Sequence, residues 1–179
     1  THPILTGWIG MTGIAFMLHF GLFHLLALIW KRVGVPVEPL MDKPAMATAL
    51  SEFWGRRWNR GFNQLVARFV FRPTVRHLNV AGATMLVFAV SGIIHDVVIS
   101  VPARGGYGLP TLYFLLQGLG ILIERTNAGR ALGLNRGIRG WLFMALFTAV
   151  PAYWLFHPPF IHNVILPMLN AFGATGTPL

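Results

Sequence analysis

The sequence has little charge, and most of the charge it has is positive. Charged residues make up 11% of its 179 residues, against about 25% in an ordinary soluble domain. There are 14 Lys and Arg against 5 Asp and Glu, while 55% of the residues are hydrophobic and the mean hydropathy is +0.62. This composition excludes intrinsic disorder and does not favour a soluble globule. We therefore expect a polytopic membrane protein.

Cysteine is absent from the chain. Its absence excludes a disulfide scaffold, a Cys-based zinc or iron–sulfur site, a thiol nucleophile and S-palmitoylation. The zincin, serine-hydrolase and phosphate-loop motifs are missing as well. Nucleic-acid binding is not expected, because the Arg residues lie between long apolar runs rather than on a basic face of a soluble fold. No metal or cofactor is expected.

Four segments are long and apolar enough to cross a bilayer, which takes about 20 residues. They lie at Ile4–Trp30, Val80–Val101, Tyr107–Ile123 and Gly140–Phe156. A weaker stretch, Phe160–Phe172, is expected to be interfacial or re-entrant. The pattern predicts an all-α fold, a polytopic membrane helix bundle of four to five spans that forms one membrane-embedded domain over residues 1–179. Since the chain begins with neither Met nor a basic leader, it could be a fragment whose missing N-terminal part holds further helices.

The loops between these spans differ sharply in charge. Thirteen of the 14 Lys and Arg residues lie between the first and second spans or between the third and fourth, and Arg104 alone lies in the remaining loop. The positive-inside rule then places the two basic loops in the cytoplasm and both termini outside. The composition favours a bacterial inner membrane, with the endoplasmic reticulum as the alternative.

Residues 51–70 (SEFWGRRWNRGFNQLVARFV) predict an amphipathic helix along the cytoplasmic interface. Ser51 and Glu52 are expected to begin it, as a capping oxygen and a carboxylate near the positive end of the helix dipole, and Pro73 to end it. At helical spacing one arc is apolar and the opposite arc polar. The apolar arc comprises Trp54, Trp58, Phe62, Leu65, Val66 and Phe69, and the polar arc Arg56, Arg57, Arg60, Asn63, Gln64 and Arg68.

Asn59 departs from this pattern, because it projects at the edge of the apolar arc between Trp58, Phe62 and Val70. An amide in that position needs hydrogen-bond partners. Two interpretations stay open. The amide either hydrogen-bonds a neighbouring span and holds helices together, or it faces a reaction chamber.

His95 and Asp96 lie deep in the second span, where Asp costs about 2.5–3.5 kcal/mol to insert. Ser91 lies one turn before His95 on the same face. A buried neutral imidazole can accept a proton from a hydroxyl, although a His that only hydrogen-bonds a carbonyl of the next helix is the alternative. A Ser91–His95 nucleophile–base pair and haem ligation by His19 and His95 have less support. Five other histidines are expected to be structural: His19, His24, His77, His157 and His162.

The run FWGRRWNRGFNQLVARFVFRP, the later SGIIHD, the run YGLPTLYFLLQGLGILIER and the ending PAYWLFHPPF together resemble the membrane-bound O-acyltransferase family, and within it the wax-synthase-like branch. The resemblance covers about Pro39–Phe160. In this family the equivalent Asn and His are the catalytic positions, which correspond to Asn59 and His95. The resemblance implies transfer of a fatty acyl group from acyl-CoA, a co-substrate, to the hydroxyl of a lipid alcohol, with wax esters as the first expectation. It implies His95 as general base and Asn59 as the group that hydrogen-bonds the thioester carbonyl or orients the acyl donor.

Further residues are expected to bind substrate. Arg56, Arg57 and Arg60 flank Asn59 and suit the phosphates of CoA, while anchoring to anionic lipid is the alternative role. The other expected substrate-binding residues are Trp58, Ser91 and Asp96. A diacylglycerol, a sterol-like alcohol or an extracytoplasmic sugar remain open as acceptors, and so does a non-catalytic structural or transport subunit.

The spacing of the two catalytic positions poses a geometric problem. If Asn59 lies at the cytoplasmic face, His95 is roughly 22 Å away along its helix at 1.5 Å per residue. Two groups that act on one thioester cannot be so far apart. Either the interfacial helix dips inward, or the second span begins later than expected.

Overall fold

A computed structural model of the chain describes residues 3–173, and every regular element within them is helical. The helices in chain order are α1 (Pro3–Arg32), α2 (residues 50–57), α3 (residues 60–74), α4 (Val80–Ala103), α5 (Leu109–Arg125), α6 (Asn127–Ala131), α7 (Gly137–Leu155) and α8 (residues 158–171). A short 3-10 turn, Pro44–Met46, precedes α2. The all-α fold is confirmed.

Three helices, α1, α4 and α7, are long and apolar enough to cross a membrane. They correspond to the first, second and fourth expected spans. The third, α5, has 17 residues, which at 1.5 Å per residue is about 26 Å and lies at the short end for a bilayer crossing. The expected number of spans is therefore confirmed in part. Helix α8 is too short to cross a bilayer and instead packs against α1.

The main core lies where α4, α5 and α7 meet. Its buried residues on these helices include Phe88, Ile99, Tyr113, Phe114, Ile121 and Met144. Asn79 begins α4, because its side-chain oxygen accepts a hydrogen bond from the backbone N–H of Gly82 at 2.9 Å. Gly92 lets α4 and α5 approach closely, since a Cβ there would lie 2.6 Å from the Cα of Thr111. These contacts fix the relative position of the two helices that hold the site.

The second core joins α1 to α8 through Met11, Ile161, Ile165 and Leu169. It uses only the first half of α1. Residues 17–32 of α1 contain no buried residue, although most of them are large and apolar. Such an apolar surface is stable against lipid or another apolar helix rather than against water.

The two basic loops lie at the same end of the bundle. Trp141, near the start of α7, donates its ring N–H to the carbonyl of Ala45 at 2.8 Å. Glu124, near the end of α5, binds the backbone at the start of α2. Arg104 lies at the opposite end of α5, in the loop that precedes its first residue, Leu109. The structure thus agrees with placing both basic loops on one side, and their cytoplasmic location stays a prediction.

The prediction of a single helix over residues 51–70 is wrong. The chain forms two helices with a break at Trp58 and Asn59, where Trp58 is extended and Asn59 has a positive φ of 43°. Ser51 does not cap the first of them. The N-cap is Ala49, which makes no side-chain cap, and the carboxylate of Glu124 accepts the free N–H groups instead.

Two smaller expectations for this segment are confirmed. Glu52 does bind near the helix start, where its carboxylate accepts the backbone N–H of Thr48 at 2.8 Å. The second helix ends at Thr74, one residue after Pro73. The members of the expected apolar arc differ in exposure, since Leu65 and Phe69 are exposed while the other four line a cavity.

Candidate active site

A cavity of about 410 Å³ lies between α4, α5 and the segment formed by α2 and α3. Its volume falls within the range of about 300–1,000 Å³ that is usual for small-molecule sites. The wall is mostly apolar, and its aromatic members are Trp54, Trp58, Phe62, Phe71, Phe88 and Phe114. The polar side chains on the wall are Ser51, Asn59, Asn63, Thr84, Ser91, His95 and Arg125. Both residues expected to be catalytic therefore face the same cavity.

The cavity is elongated along α4. One face of this helix lines it from Thr84 to Val98, which is about 21 Å at 1.5 Å per residue. Arg125 lines it at the end of α5 that carries the basic loops. A long apolar ligand with one charged end matches this distribution of side chains.

His95 lies on α4 near the far end of this wall. Its Nδ1 lies 2.7 Å from the backbone carbonyl oxygen of Ser91, and its ring packs against Phe114 with ring centroids 4.3 Å apart. A carbonyl oxygen can only accept a hydrogen bond, so Nδ1 carries the hydrogen in the neutral ring and Nε2 keeps a lone pair. The carbonyl partner is on the same helix and not, as the alternative interpretation expected, on the next one.

The Ser91 hydroxyl is not arranged as a nucleophile toward His95. Its Oγ donates to the carbonyl oxygen of Val87 at 2.8 Å, and its backbone oxygen is the group that binds the His95 ring. The pairing needed for nucleophilic catalysis joins hydroxyl to imidazole. Ser91 lines the cavity as expected of a substrate-binding residue, but the nucleophile–base alternative has no geometric support.

His19, the second ring considered for haem ligation, lies outside the cavity wall. Its Nδ1 lies 2.8 Å from the carbonyl oxygen of Ala15, and its ring stacks on Trp58 with centroids 5.5 Å apart. Each of the two histidines thus has its own aromatic partner, His19 with Trp58 and His95 with Phe114.

Asn59 lies in the break between α2 and α3. Its Oδ1 accepts the backbone N–H of Phe62 at 3.3 Å and caps α3, which fixes the orientation of the amide. The amide NH₂ is then directed away from the helix start, and within residues 3–173 the Asn59 side chain is hydrogen-bonded only through that oxygen. Asn63 stabilises the break, because its NH₂ donates to the carbonyl of Trp54 at 3.0 Å and to that of Gly55.

The interfacial segment brings Asn59 and His95 onto the wall of one cavity. Helix α4 begins at Val80 as expected, so the second span does not start later. Instead, α3 packs against α4, and its side chains Phe62 and Val66 line the same cavity wall as His95. The segment that follows Asn59 therefore enters the bundle rather than lying flat on its surface.

The three arginines expected to bind CoA do not line the cavity. Arg57 forms an ion pair with Glu52 at 2.8 Å, Arg60 pairs with Glu38, and Arg56 is exposed. Although partial burial favours a higher value, the Thr48 N–H and the Arg57 guanidinium hold the pKa of Glu52 below its usual range. Two of the three cations therefore have structural partners already.

Trp58 and Asp96 have different positions with respect to the cavity. Trp58 lines it and stacks on Phe53 with centroids 5.4 Å apart. Asp96 does not line it. Its carboxylate accepts the backbone N–H groups of Gly108 and Thr111 and so caps α5. The structure gives Asp96 a role at a helix end, and not on the substrate cavity where it was expected.

Sequence reasoning missed three residues that build the site. Glu124 is 1% exposed, and its two oxygens accept the N–H groups of Leu50 and Ser51 at 2.8 and 3.0 Å. Gln117 is fully buried and accepts the ring N–H of Trp54 at 3.2 Å. Arg125 reaches the cavity. The only sequence signal for the first two was a polar residue inside or at the end of an apolar run.

The fold and this cavity define a helical integral membrane protein with a histidine and an asparagine on the mostly apolar wall of one cavity. Residues 37–116 match the model of the membrane bound O-acyl transferase family, and both of these residues lie within the match. The chain belongs to the membrane-bound O-acyl transferase family, in its wax-synthase-like branch.

The names of similar proteins agree with this placement. The chain is 33% identical over 146 residues to "Probable long-chain-alcohol O-fatty-acyltransferase 7" of Arabidopsis thaliana, covering 73% of this chain and 42% of that protein. It is 30% identical over 154 residues to "Long-chain-alcohol O-fatty-acyltransferase" of Simmondsia chinensis, covering 78% and 43%. It is also 30% identical over 183 residues to "Acyl-CoA--sterol O-acyltransferase 1" of Arabidopsis thaliana, covering 93% and 52%.

The chain thus spans about half, or somewhat less, of the length of these curated relatives. No solved structure matches it.

Proposed function

We propose that this protein transfers a fatty acyl group from acyl-CoA to the hydroxyl of a lipid alcohol, with a long-chain alcohol as the first acceptor and a wax ester as the product. The observation that carries the proposal is the arrangement of His95, whose Nδ1 is bound to a carbonyl while the ring lines an elongated apolar cavity. Its family membership and the names of its relatives support the same reaction class.

His95 acts as the general base. Its Nε2 lone pair takes the proton of the acceptor hydroxyl while the alcohol oxygen forms a bond to the thioester carbonyl carbon. The carbon–sulfur bond then breaks, and the departing CoA thiolate takes the proton back from His95. The products are an ester and CoA, and the imidazole returns to its neutral form without an acyl-enzyme.

Asn59 acts on the acyl donor. Because its oxygen caps α3, its NH₂ is left to donate a hydrogen bond to the thioester carbonyl oxygen as negative charge develops there. In the apolar wall formed around it by Trp58 and Phe62, such a donor stabilises charge more strongly than it would in water.

The donor enters with its CoA moiety at the basic end and its acyl chain along α4. Arg125 supports this direction, since it lines the cavity and forms no ion pair with any carboxylate in residues 3–173. CoA is a polyanion, and a guanidinium binds phosphate through paired N–H donors. We place this basic end in the cytoplasm on the positive-inside rule. Composition supports a bacterial inner membrane, with the endoplasmic reticulum as the alternative.

A sterol-like alcohol is the second candidate acceptor. The relative that aligns over 93% of this chain carries the name of an acyl-CoA–sterol O-acyltransferase. A cavity bounded by flat aromatic side chains such as Trp54 and Phe114 accommodates ring systems as well as alkyl chains.

The experiment uses membranes of cells that express the complete gene, supplied with labelled palmitoyl-CoA and either hexadecanol, a sterol or a diacylglycerol. We expect label in a neutral ester with hexadecanol, and none with His95→Ala. His24→Ala is the matched control, because His24 is exposed on α1 and does not line the cavity. Ester formed equally by wild type and His95→Ala would contradict the proposal, as would a membrane-inserted wild type that acylates none of the acceptors.

A further inference from the structure

Asp96 follows His95 directly in the chain, yet its carboxylate serves the start of another helix. Oδ1 accepts the N–H of Gly108 at 2.8 Å and the hydroxyl of Ser100 at 2.9 Å. Oδ2 accepts both the N–H of Thr111, at 3.1 Å, and its hydroxyl. A carboxylate this fully hydrogen-bonded at the positive end of α5 is a strong link between α4 and α5.

A buried histidine extends this link to the segment before α8. The Nδ1 of His157 accepts the N–H of Phe160 at 3.3 Å, so in the neutral ring Nε2 carries the hydrogen and donates to the Oγ of Ser100, 3.1 Å away. Burial lowers the pKa of His157 against the opposing effect of the Asp96 charge, which favours this neutral form. The donors therefore run in one direction, from His157 through Ser100 to Asp96.

This trio is closed to substrate. Ser100 and His157 are 0% exposed, and neither lines the cavity. Gly106 covers the imidazole so closely that a Cβ there would lie 2.5 Å from three ring atoms. This burial excludes a nucleophilic role for Ser100. The trio can act only on the position of residues in the neighbouring cavity wall.

The trio is linked to the His95 ring through Thr111 and Phe114. The N–H and the hydroxyl of Thr111 both donate to Oδ2 of Asp96, and Thr111 lies one turn before Phe114 on α5. Phe114 packs against His95 with ring centroids 4.3 Å apart. Thr111 also touches α4 at Gly92, where no space exists for a side chain. A shift of α5 at Thr111 would therefore move the surface on which the imidazole rests.

We propose that Asp96, Ser100 and His157 form a positioning network that fixes the His95 ring through Thr111 and Phe114. The inference rests on the proposed function, because it assumes that His95 is the base. None of the three touches substrate. Their effect is on the geometry of proton transfer, where a misplacement of about 1 Å can cost about 100-fold in rate.

The test compares variants that remove hydrogen bonds of the network without removing the carboxylate. Ser100→Ala separates His157 from Asp96 and leaves the bonds from Gly108 and Thr111. Thr111→Val removes the hydroxyl donor at nearly unchanged shape, and Thr111→Ser restores it as the conservative control. We expect kcat per folded protein to fall about tenfold or more for the first two variants, with the KM for palmitoyl-CoA nearly unchanged and Thr111→Ser close to wild type.

The outcomes separate this inference from the proposed function. If wild type forms ester, His95→Ala does not, and both Ser100→Ala and Thr111→Val keep the wild-type kcat, the positioning network is wrong while the base stands. The positioning network would also be wrong if Ser100→Ala and Thr111→Val lowered the amount of folded protein and left kcat unchanged. That result would show that these residues act only in folding. If wild type and His95→Ala form ester equally, the proposed function itself fails. Thr111→Val keeps the test decisive if Ser100→Ala does not fold.

Discussion

The Nδ1 atom of His95 lies 2.7 Å from the backbone carbonyl oxygen of Ser91, one turn earlier on the same helix. This contact determines which ring nitrogen is free. In a Ser-His-Asp triad a carboxylate performs the same orientation and also stabilises the imidazolium. Here a neutral carbonyl orients the ring, and the adjacent carboxylate of Asp96 is directed to α5. The proposed base is therefore held in place without an ion pair of its own.

The side chain of Asn59 is predicted to be needed for activity and its backbone conformation for folding. Asn59→Gly keeps the positive φ at little cost but removes the amide, so we expect normal membrane levels and loss of ester formation. Asn59→Ala should in addition lower the free energy of unfolding by about 0.5–2 kcal/mol, because the helix cap is lost. Immunoblotting and the ester assay measure the two effects.

Lys43→Gly is the matched control for Asn59→Gly. Lys43 also has a positive φ, 46°, and does not line the cavity. It should keep wild-type activity. A wild-type rate for Asn59→Gly would show that the amide has no part in the reaction.

Arg125 is predicted to bind the CoA end of the donor. Arg125→Ala should raise the KM for palmitoyl-CoA about tenfold, which corresponds to about 1.4 kcal/mol, and kcat should change little. Arg130→Ala serves as control, since Arg130 lies in the same basic loop but not on the cavity wall. Steady-state kinetics measure both constants. An unchanged KM for palmitoyl-CoA in Arg125→Ala would show that Arg125 does not bind the CoA moiety.

Glu124 is predicted to hold the start of α2 in place. Glu124→Ala leaves the N–H groups of Leu50 and Ser51 without their partner, which should destabilise the fold by about 1–3 kcal/mol. Glu38→Ala removes an exposed carboxylate whose ion pair with Arg60 is worth about 0–1 kcal/mol. Thermal unfolding in detergent should give a clearly lower Tm for the first variant only. Equal Tm values would contradict the capping role.

Gly92 is predicted to be intolerant of a side chain. Gly92→Ala forces α4 away from Thr111 beside the catalytic ring, and overpacking of this kind costs about 1–3 kcal/mol. Gly13→Ala on α1 is the control, because a Cβ there meets no atom within 4 Å. We expect a lower Tm and a lower transfer rate for Gly92→Ala alone. The packing account fails if the two alanine variants behave alike.

The membrane-spanning helices could be predicted from the sequence because apolar length is a local property. The expected segments Ile4–Trp30 and Val80–Val101 correspond closely to α1 and α4. The cavity-facing position of His95 followed for the same reason, since an ionisable group at that depth must face the protein interior. Asn59 was singled out by its place at the edge of the apolar arc and was assigned a catalytic role by the family resemblance, and the structure adds that it lines the same cavity.

The break at Asn59 could not be predicted, because its causes are distant or depend on the fold. The apolar periodicity of residues 51–70 runs through the break without interruption. The break is held by the cap that Asn59 gives α3 and by the bridge from Asn63 to the carbonyl of Trp54. Backbone hydrogen bonds also join Arg57 and Arg60 to residues 40–42. The bonds to residues 40–42 depend on the fold and leave no signal in the local pattern.

The position of Asp96 away from the cavity wall could not be predicted for a related reason. A carboxylate deep in an apolar span indicates a functional group, and the adjacent His95 strengthened that interpretation. Its partners are backbone N–H groups of Gly108 and Thr111, which become available only because α5 begins there. Backbone donors at a helix start cannot be distinguished in the sequence from any other peptide groups.

The central claim is that His95 is the base, and the most direct measurement is the transfer rate of His95→Gln at saturating palmitoyl-CoA and hexadecanol. Glutamine is neutral and of similar reach, and it can still donate a hydrogen bond to the Ser91 carbonyl, but it cannot accept the proton of the alcohol. We predict a rate at least about 100-fold below wild type at equal amounts of folded protein. A His95→Gln rate within about twofold of wild type would contradict the account, because the loss of a general base lowers the rate by far more than twofold.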